Sequence, residues 1–269
     1  MNGYTQIFFT ISLDSLNGLR MQALDDPRVT PQNIVMGAPT DPEEVIAAWY
    51  LQRYETTDFY RLINTSRDTA ITIAGNLSAS SVSLTPPLPP NAGFGSVSQE
   101  WFLEAAQNPN RAPSYQIVNP LLQKALEYGE NDDYGSIVGT GAPDGPDGQG
   151  EGTYWTFVPL DAIASYAPTL QASSSAAPGG TNFLVNVTFP DGAPNGVVLQ
   201  CTIAGNAPTL SVTPNFMSFL TIGTNPAQGM GFSYFAPANQ LGPLGSPVTI
   251  MLEDGNQNVV AITQAIIQG

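Results

Sequence analysis

The chain of 269 residues contains no histidine and a single cysteine, Cys201. Without histidine, the commonest general base and the Ser/His/Asp triad are excluded, and so are zinc sites of the Cys/His type. A lone cysteine also excludes an internal disulfide. In the run of residues 197–203, Cys201 shares a strand face with Leu199 and Ile203, which predicts a small buried hydrophobe.

Basic residues are scarce, since seven Lys and Arg stand against 22 Asp and Glu and give a formal net charge of −15. The last of them is Lys124, and residues 125–269 carry 11 acidic groups and no basic one. A surface with this excess of negative charge repels polyphosphate and anionic lipid. The attraction between basic side chains and phosphates, which dominates nucleic-acid binding, is therefore missing. We therefore expect no direct nucleic-acid partner and no membrane insertion.

The first ten residues contain neither a basic segment nor a long apolar run. A signal peptide needs a basic segment followed by an apolar stretch, and a membrane span needs a long apolar stretch. We therefore expect the protein to be made in the cytoplasm without a signal peptide.

Motifs for catalysis are missing as well. The sequence has neither of the two common glycine-rich phosphate loops, and Lys124 lacks the S-x-x-K spacing of serine/lysine acyl enzymes. A glycosidase needs two carboxyl groups about 5–9.5 Å apart, and among 22 acids some pair meets that distance by chance. We expect no enzymatic activity and no organic cofactor.

Apolar residues make up 42% of the chain, enough for a real core. In the C-terminal third, Phe183, Val185 and Val187 alternate with Leu184, Asn186 and Thr188, which indicates a half-buried strand. Further strands are predicted at residues 197–203, 208–213, 216–222, 230–235, 247–253 and 258–264. Short strands broken by Gly, Pro and Asn predict an immunoglobulin-like β-sandwich over 176–269. Its predicted interior is Phe183, Val185, Val187, Leu199, Cys201, Ile250 and Ile262.

Residues 167–180 are rich in Ser, Ala and Pro, which predicts a linker and a domain boundary near residue 175. The domain 1–175 is predicted to be mainly β, with an antiparallel sandwich or jelly-roll-like fold. Its strands are predicted near 5–13, 69–74 and 153–158. Helix-start signals predict short helices inserted in its loops. They cover residues 41–54, 96–107 and 119–129. No repeat is detected between the two halves of the chain.

The segment 129–152 holds eight glycines and six acidic residues without a cation to pair them. Flexible, oxygen-rich loops suit Ca²⁺, which takes about six to eight oxygen ligands. A solvated acidic loop is the alternative interpretation. The candidate Ca²⁺ ligands are Asp132, Asp133, Asp144, Asp147 and Glu151.

Aromatic residues cluster at residues 49–60 and 154–157, where they form either core or the lining of a sugar or protein groove. The proline-rich run Thr85–Pro90 predicts an extended segment that is either a rigid connector or a docking element.

Two hypotheses for function follow. The first is a non-enzymatic structural protein of a self-assembling particle, such as a virion capsid, decoration, spike or tail component. Its partners would be copies of itself in a homo-oligomer or other structural subunits, and its final location the virion or another assembled particle. The alternative is a lectin-like or adhesin-like binding protein, with or without Ca²⁺, whose partner is a glycan or surface receptor.

Overall fold

The computed structural model describes residues 6–13, 19–23, 34–37, 45–54, 59–73, 82–89, 98–107, 113–119, 123–128, 138–141, 153–160, 167–189, 198–206, 216–223 and 230–269. The chain divides into two compact units. We call Phe8–Ala162 the first unit, and Ile163–Gly269 with Met1–Ile7 the second unit. The predicted division into independently folding domains 1–175 and 176–269 stays a prediction.

The described residues of the first unit form twelve strands in one antiparallel sheet. They are β1 (Phe9–Leu13), β2 (Arg20–Ala23), β3 (Ile34–Gly37), β4 (Trp49–Arg53), β5 (Tyr60–Asn64), β6 (Thr69–Ile73), β7 (Val82–Thr85), β8 (Phe102–Ala105), β9 (Tyr115–Asn119), β10 (Lys124–Tyr128), β11 (Val138–Gly141) and β12 (Tyr154–Pro159).

Six of these strands close into a ring. Its order is β1, β4, β5, β8, β9, β12 and back to β1. Between β5 and β8 the ring is closed by Tyr60 and Trp101, whose backbone groups exchange hydrogen bonds of 2.7 and 2.9 Å. The other six strands form three hairpins, β2–β3, β6–β7 and β10–β11. A closed ring with three hairpins is the arrangement of a β-trefoil.

The same pattern occurs three times along the chain, in β1–β4, β5–β8 and β9–β12, which we call the three lobes. Each lobe has one fully buried tryptophan at its last strand, and its indole N–H donates to a backbone oxygen of the lobe's second strand. These bonds are Trp49 to Met21 at 2.9 Å, Trp101 to Ile71 at 3.1 Å, and Trp155 to Leu126 at 3.1 Å. The acceptors lie 28, 30 and 29 residues before their donors, so the three contacts are structurally equivalent.

Each of these tryptophans also pairs with an aromatic residue of the first strand of its lobe. The pairs are Phe9 with Trp49, Tyr60 with Trp101, and Tyr115 with Trp155. All six side chains are at most 1% exposed. Burial of large aromatic side chains contributes heavily to the free energy of folding. The core of the first unit is therefore built around a threefold set of aromatic pairs.

In the second unit, the part of the chain that the structure describes forms seven antiparallel strands. They are β13 (Thr169–Ala177), β14 (Gly180–Thr188), β15 (Val198–Gly205), β16 (Phe216–Gly223), β17 (Met230–Pro237), β18 (Pro247–Glu253) and β19 (Val259–Ile266). One sheet has the order β13-β14-β17, and the other has the order β16-β15-β18-β19. The hydroxyl groups of Ser174 and Thr181 in the first sheet donate to the backbone oxygens of Ile266 and Gln268, which ties the two sheets together.

The predicted core of the second unit is confirmed for Phe183, Val185, Val187, Leu199, Cys201 and Ile250, which are buried, while Ile262 is half-buried. The linker predicted over 167–180 is wrong, because Thr169–Ala177 form β13 and pair with β14. Serine and alanine leave the backbone free to pair, and β14 supplies the hydrogen bonds. Two antiparallel sheets are present as predicted, while the immunoglobulin-like label stays a prediction.

In the first unit, the antiparallel β class is confirmed but the sandwich or jelly-roll-like form is not, because the first and last strands pair and close the ring. The three short helices predicted there are wrong, since the strands β4, β8 and β10 lie within the residues assigned to them. A helix cap contributes only about 1 kcal/mol, which the pairing of each of these strands with neighbours on both sides outweighs. Among the described residues, the sole helical turn is a 3₁₀ turn at Val45–Ala47. None of the helical structure in that part of the chain is long and apolar enough to cross a membrane.

Candidate functional site

The aromatic clusters of the first unit belong mainly to its core. Five of their members are buried: Trp49, Tyr54, Tyr60, Tyr154 and Trp155. Tyr50, Phe59 and Phe157 are half-buried, and the hydroxyl group of Tyr50 reaches a surface carboxylate. Along β4 the side chains alternate, so the burial of Trp49 turns Tyr50 toward the opposite side of the strand.

The Tyr50 hydroxyl donates to Oδ1 of Asp68 at 2.8 Å. Asp68 is exposed in the turn between β5 and β6, where its φ is 52°. The half-buried ring of Phe8 packs edge-to-face on Tyr50, with centroids 6.4 Å apart. Burial, and then the bond to Asp68, raise the pKa of Tyr50 above its ordinary value, so the hydroxyl stays a donor at neutral pH. A carboxylate offers about four acceptor positions, which leaves Asp68 able to accept from a ligand.

Asn64 holds the turn that carries Asp68 in place. Its side-chain amide, which is fully buried, donates to the backbone oxygen of Ala48 at 3.3 Å, two residues before Tyr50. Its side-chain oxygen accepts from the backbone N–H of Ser66 at 3.0 Å. One side chain therefore ties the backbone next to Tyr50 to the turn of Asp68, so the pair is preorganised by the fold.

The three lobes provide an internal comparison for this pair. The position of Tyr50, directly after the lobe's tryptophan, is taken by Phe102 and Thr156 in the other lobes. The position of Asp68 is taken in the third lobe by Gln123, which has nearly the same φ, 51°. The scaffold contacts of the tryptophans recur at every lobe, whereas the Tyr50–Asp68 pair occurs at one of the three junctions between lobes. The fold does not require the pair, which makes it the candidate functional site.

The predicted Ca²⁺ ligands, Asp132, Asp133, Asp144, Asp147 and Glu151, lie outside the described residues, so the Ca²⁺ site stays a prediction. Within the described ranges, no group of three or more potential metal-ligating side chains comes together. Sequence reasoning placed Tyr50 in an aromatic cluster but missed Asp68, which no local motif marks.

The described part of the proline-rich run is fixed to its own unit. The Arg61 guanidinium lies 3.9 Å from the centroid of the Tyr54 ring and donates to the backbone oxygen of Leu88. The fully buried side chain of Gln99 accepts from the Leu88 N–H at 2.9 Å and donates to the backbone oxygen of Pro86 at 3.1 Å. These bonds favour the connector interpretation over docking on a neighbour.

No protein-family model and no curated protein matches the sequence. Among solved structures, the chain is similar to ThreeFoil, a designed protein with threefold symmetry, at 16% identity and a TM-score of 0.45, covering 56% of this chain and 97% of that one. It is also similar to a lectin of Polyporus squamosus, at 15% identity and a TM-score of 0.44, covering 64% of this chain and 51% of the lectin. For the agglutinin of Rhizoctonia solani the identity is 15% and the TM-score 0.43, with 57% and 95% covered. The chain thus spans about half the length of the Polyporus squamosus lectin.

Proposed function

We propose that the protein is a non-enzymatic binding protein that recognises a carbohydrate at the junction between its first and second lobes. The observation that carries the proposal is the Tyr50–Asp68 pair, which has no counterpart among the described residues of the other two junctions. The half-buried rings of Phe8 and Tyr50 offer an apolar edge to the C–H groups of a sugar. Asp68 accepts hydrogen bonds from sugar hydroxyls, and binding sites commonly combine aromatic side chains with a few placed polar groups.

The bonds of Asn64 reduce the cost of binding. Ordering side chains and loops on binding commonly costs about 0.5–1.5 kcal/mol per immobilised side chain. Here Tyr50 already holds Asp68, and Asn64 holds the turn, so a ligand meets groups that are in position.

The proposal is tested with the full chain on an array of neutral and acidic oligosaccharides, followed by calorimetry with the strongest glycan. We expect Tyr50→Ala and Asp68→Ala to weaken binding by at least about tenfold, which corresponds to about 1.4 kcal/mol. Gln123→Ala is the matched control, because Gln123 has the equivalent turn position and a similar positive φ. That variant should bind as the unchanged protein does.

Binding that survives Asp68→Ala, or the absence of any glycan ligand on the array, contradicts the proposal. The other hypothesis, a capsid, decoration, spike or tail component, predicts assembled particles and no dependence on a glycan. Electron microscopy of the purified protein distinguishes them, since a binding protein of this type stays small whereas a particle subunit forms rings, filaments or shells.

A further inference from the structure

Charge is divided unequally between the two units. Ile163–Gly269 contains three charged residues, Asp191, Glu253 and Asp254. Glu253 and Asp254 are only 1% and 5% exposed. The first unit holds the other 19 acidic residues and all seven basic ones, a net charge of −12. A contact made by the second unit therefore meets far less repulsion between like charges than one made by the first.

The outward side of the sheet β13-β14-β17 carries no charged residue at all, and we call it the neutral face. Leu184, the middle residue of the middle strand, is 46% exposed. Its neighbours across the sheet are Ser173 on β13 and Ser233 on β17. Phe235, which is 43% exposed, lies on the same face beside Asn182. An exposed apolar centre is thus surrounded by Ser, Thr, Asn and Gln side chains.

An apolar centre with a polar, uncharged rim is the anatomy of a protein–protein interface, in which charged residues are depleted and aromatic residues enriched. We propose that the neutral face packs on the same face of a second copy of this chain, forming a two-fold symmetric dimer. Hydroxyl and amide side chains both donate and accept hydrogen bonds, so the rim is complementary to itself. In a symmetric dimer each patch meets its own copy, and the central position of Leu184 brings the two Leu184 side chains near the axis.

The net charge of the chain is the reason for proposing a second copy of the chain as the partner of the neutral face. Each chain carries a net charge of −15, so two copies repel one another wherever charged surfaces meet. The neutral face lets them touch without bringing carboxylates together. Added salt screens the remaining long-range repulsion, since the Debye length falls from about 10 Å at 0.1 M to about 3 Å at 1 M. We therefore expect the dimer to become tighter as salt is added.

The size of the neutral face sets the strength of the dimer. Strands about 4.8 Å apart, with a rise of about 3.3 Å per residue, give a face of roughly 15 by 30 Å for three strands, of which β13 and β14 have nine residues each. This footprint of roughly 450 Å² is smaller than the roughly 800 Å² per partner of a stable interface. The dimer should therefore be weak and appear at high protein concentration.

Sedimentation velocity of the full chain, from about 10 µM to about 1 mM protein, tests the proposal. We expect a shift toward twice the monomer mass as concentration rises, and a larger dimer fraction at high salt. Leu184→Asp should abolish the shift by placing carboxylates at the axis, and Leu184→Ser should weaken it. Leu244→Asp is the matched control, because Leu244 is 65% exposed in the same unit but lies outside the three strands of the face. It should dimerise as the unchanged chain does.

A monomer throughout the concentration range overturns the proposal, and so does a dimer that persists in Leu184→Asp. Loss of the dimer in Leu244→Asp also overturns it, since it places the contact elsewhere on the unit. Melting temperatures of the variants establish that each is folded. Because the glycan array uses dilute protein and a site on the first unit, failure of one proposal leaves the other standing.

Discussion

The side-chain amide of Asn119 donates a hydrogen bond to the backbone oxygen of Glu100 at 2.7 Å. Asn64 makes the equivalent bond one lobe earlier, while the third equivalent position is occupied by Leu13. A buried carbonyl that loses its donor costs about 1–3 kcal/mol. We expect Asn119→Leu to lower the free energy of unfolding in urea by that amount. Asn186→Leu, an exposed change, should alter stability by less than about 0.5 kcal/mol, and an equal effect of the two variants would contradict this account.

Replacing each of the three buried tryptophans should lower the free energy of unfolding by a similar amount, because their surroundings are equivalent. Trp49→Phe, Trp101→Phe and Trp155→Phe each remove a buried hydrogen bond and leave a cavity, which together cost about 1–3 kcal/mol. Denaturation curves of the three variants measure this. Val158→Ala, at a side chain that is 50% exposed, is the control and should be nearly neutral. Costs that differ widely among the three tryptophans would show that the lobes are not equivalent.

Tyr115→Phe should leave the protein as stable as before, or raise its free energy of unfolding by up to about 1 kcal/mol. The Tyr115 side chain is 1% exposed, and its hydroxyl has no hydrogen-bond partner among the described residues. Burial accordingly raises its pKa. The first lobe already has Phe9 at the equivalent position. Tyr50→Phe provides the contrast, since it removes the bond to Asp68, and a clear destabilisation by Tyr115→Phe would reveal a partner for the hydroxyl.

Cys201 should be unreactive in the native protein and should make stability depend on pH above 9. Burial, and then the charge of Glu253, raise the pKa of the Cys201 thiol from 9.0 to about 12. Between these values the unfolded thiol ionises while the folded one keeps its proton. The contribution of Cys201 to stability is therefore constant below pH 9 and is lost as pH rises toward 12, by up to about 1.4 kcal/mol per pH unit.

The measurement compares unfolding free energies of the unchanged chain and of Cys201→Ala across this pH range. The alanine variant should show a smaller decline with pH, whatever its stability at neutral pH. Thiol reagents at neutral pH should modify the urea-unfolded chain and leave the native one nearly untouched. Rapid modification of the native thiol would contradict its burial.

Strands of the second unit could be predicted because their signals are local. The alternation around Phe183, Val185 and Val187 reports one buried sheet face directly, and the structure buries all three. Gly, Pro and Asn between the runs mark the turns. In contrast, β13 has a composition of Ser and Ala that is typical of linkers, and its strand conformation depends on backbone pairing with β14.

The architecture of the first unit could not be predicted from local signals, because its ring joins strands that are far apart in sequence. The sequence nevertheless contains a trace of the threefold repeat. Trp49, Trp101 and Trp155 are spaced by 52 and 54 residues, and Tyr-Arg-Leu-Ile-Asn at 60–64 resembles Tyr-Gln-Ile-Val-Asn at 115–119. Comparing the chain by thirds of residues 1–160, rather than by halves, would have predicted three lobes.

The candidate site was partly hidden by the helix prediction for residues 41–54. A helix places residues three or four apart on one face, whereas a strand separates neighbours onto opposite faces. Only the strand β4 turns Tyr50 outward while Trp49 is buried. Asp68 could not be assigned to Tyr50 from sequence, because the two residues are 18 positions apart and are brought together by the pairing of β4 and β5.

The closure of the ring has a consequence for biosynthesis. The hydroxyl of Thr10 donates to the backbone oxygen of Val158, 148 residues later, within the pairing of β1 with β12. During translation β1 cannot complete its pairing until β12 has been synthesised. The interval between the two strands is about 7–30 s at about 5–20 residues per second. Throughout that interval β1 has a ring edge without its final neighbour, and such edges recruit other strands. A nascent chain stalled before residue 154 should thus depend on chaperones, whereas one released after residue 160 should close its ring.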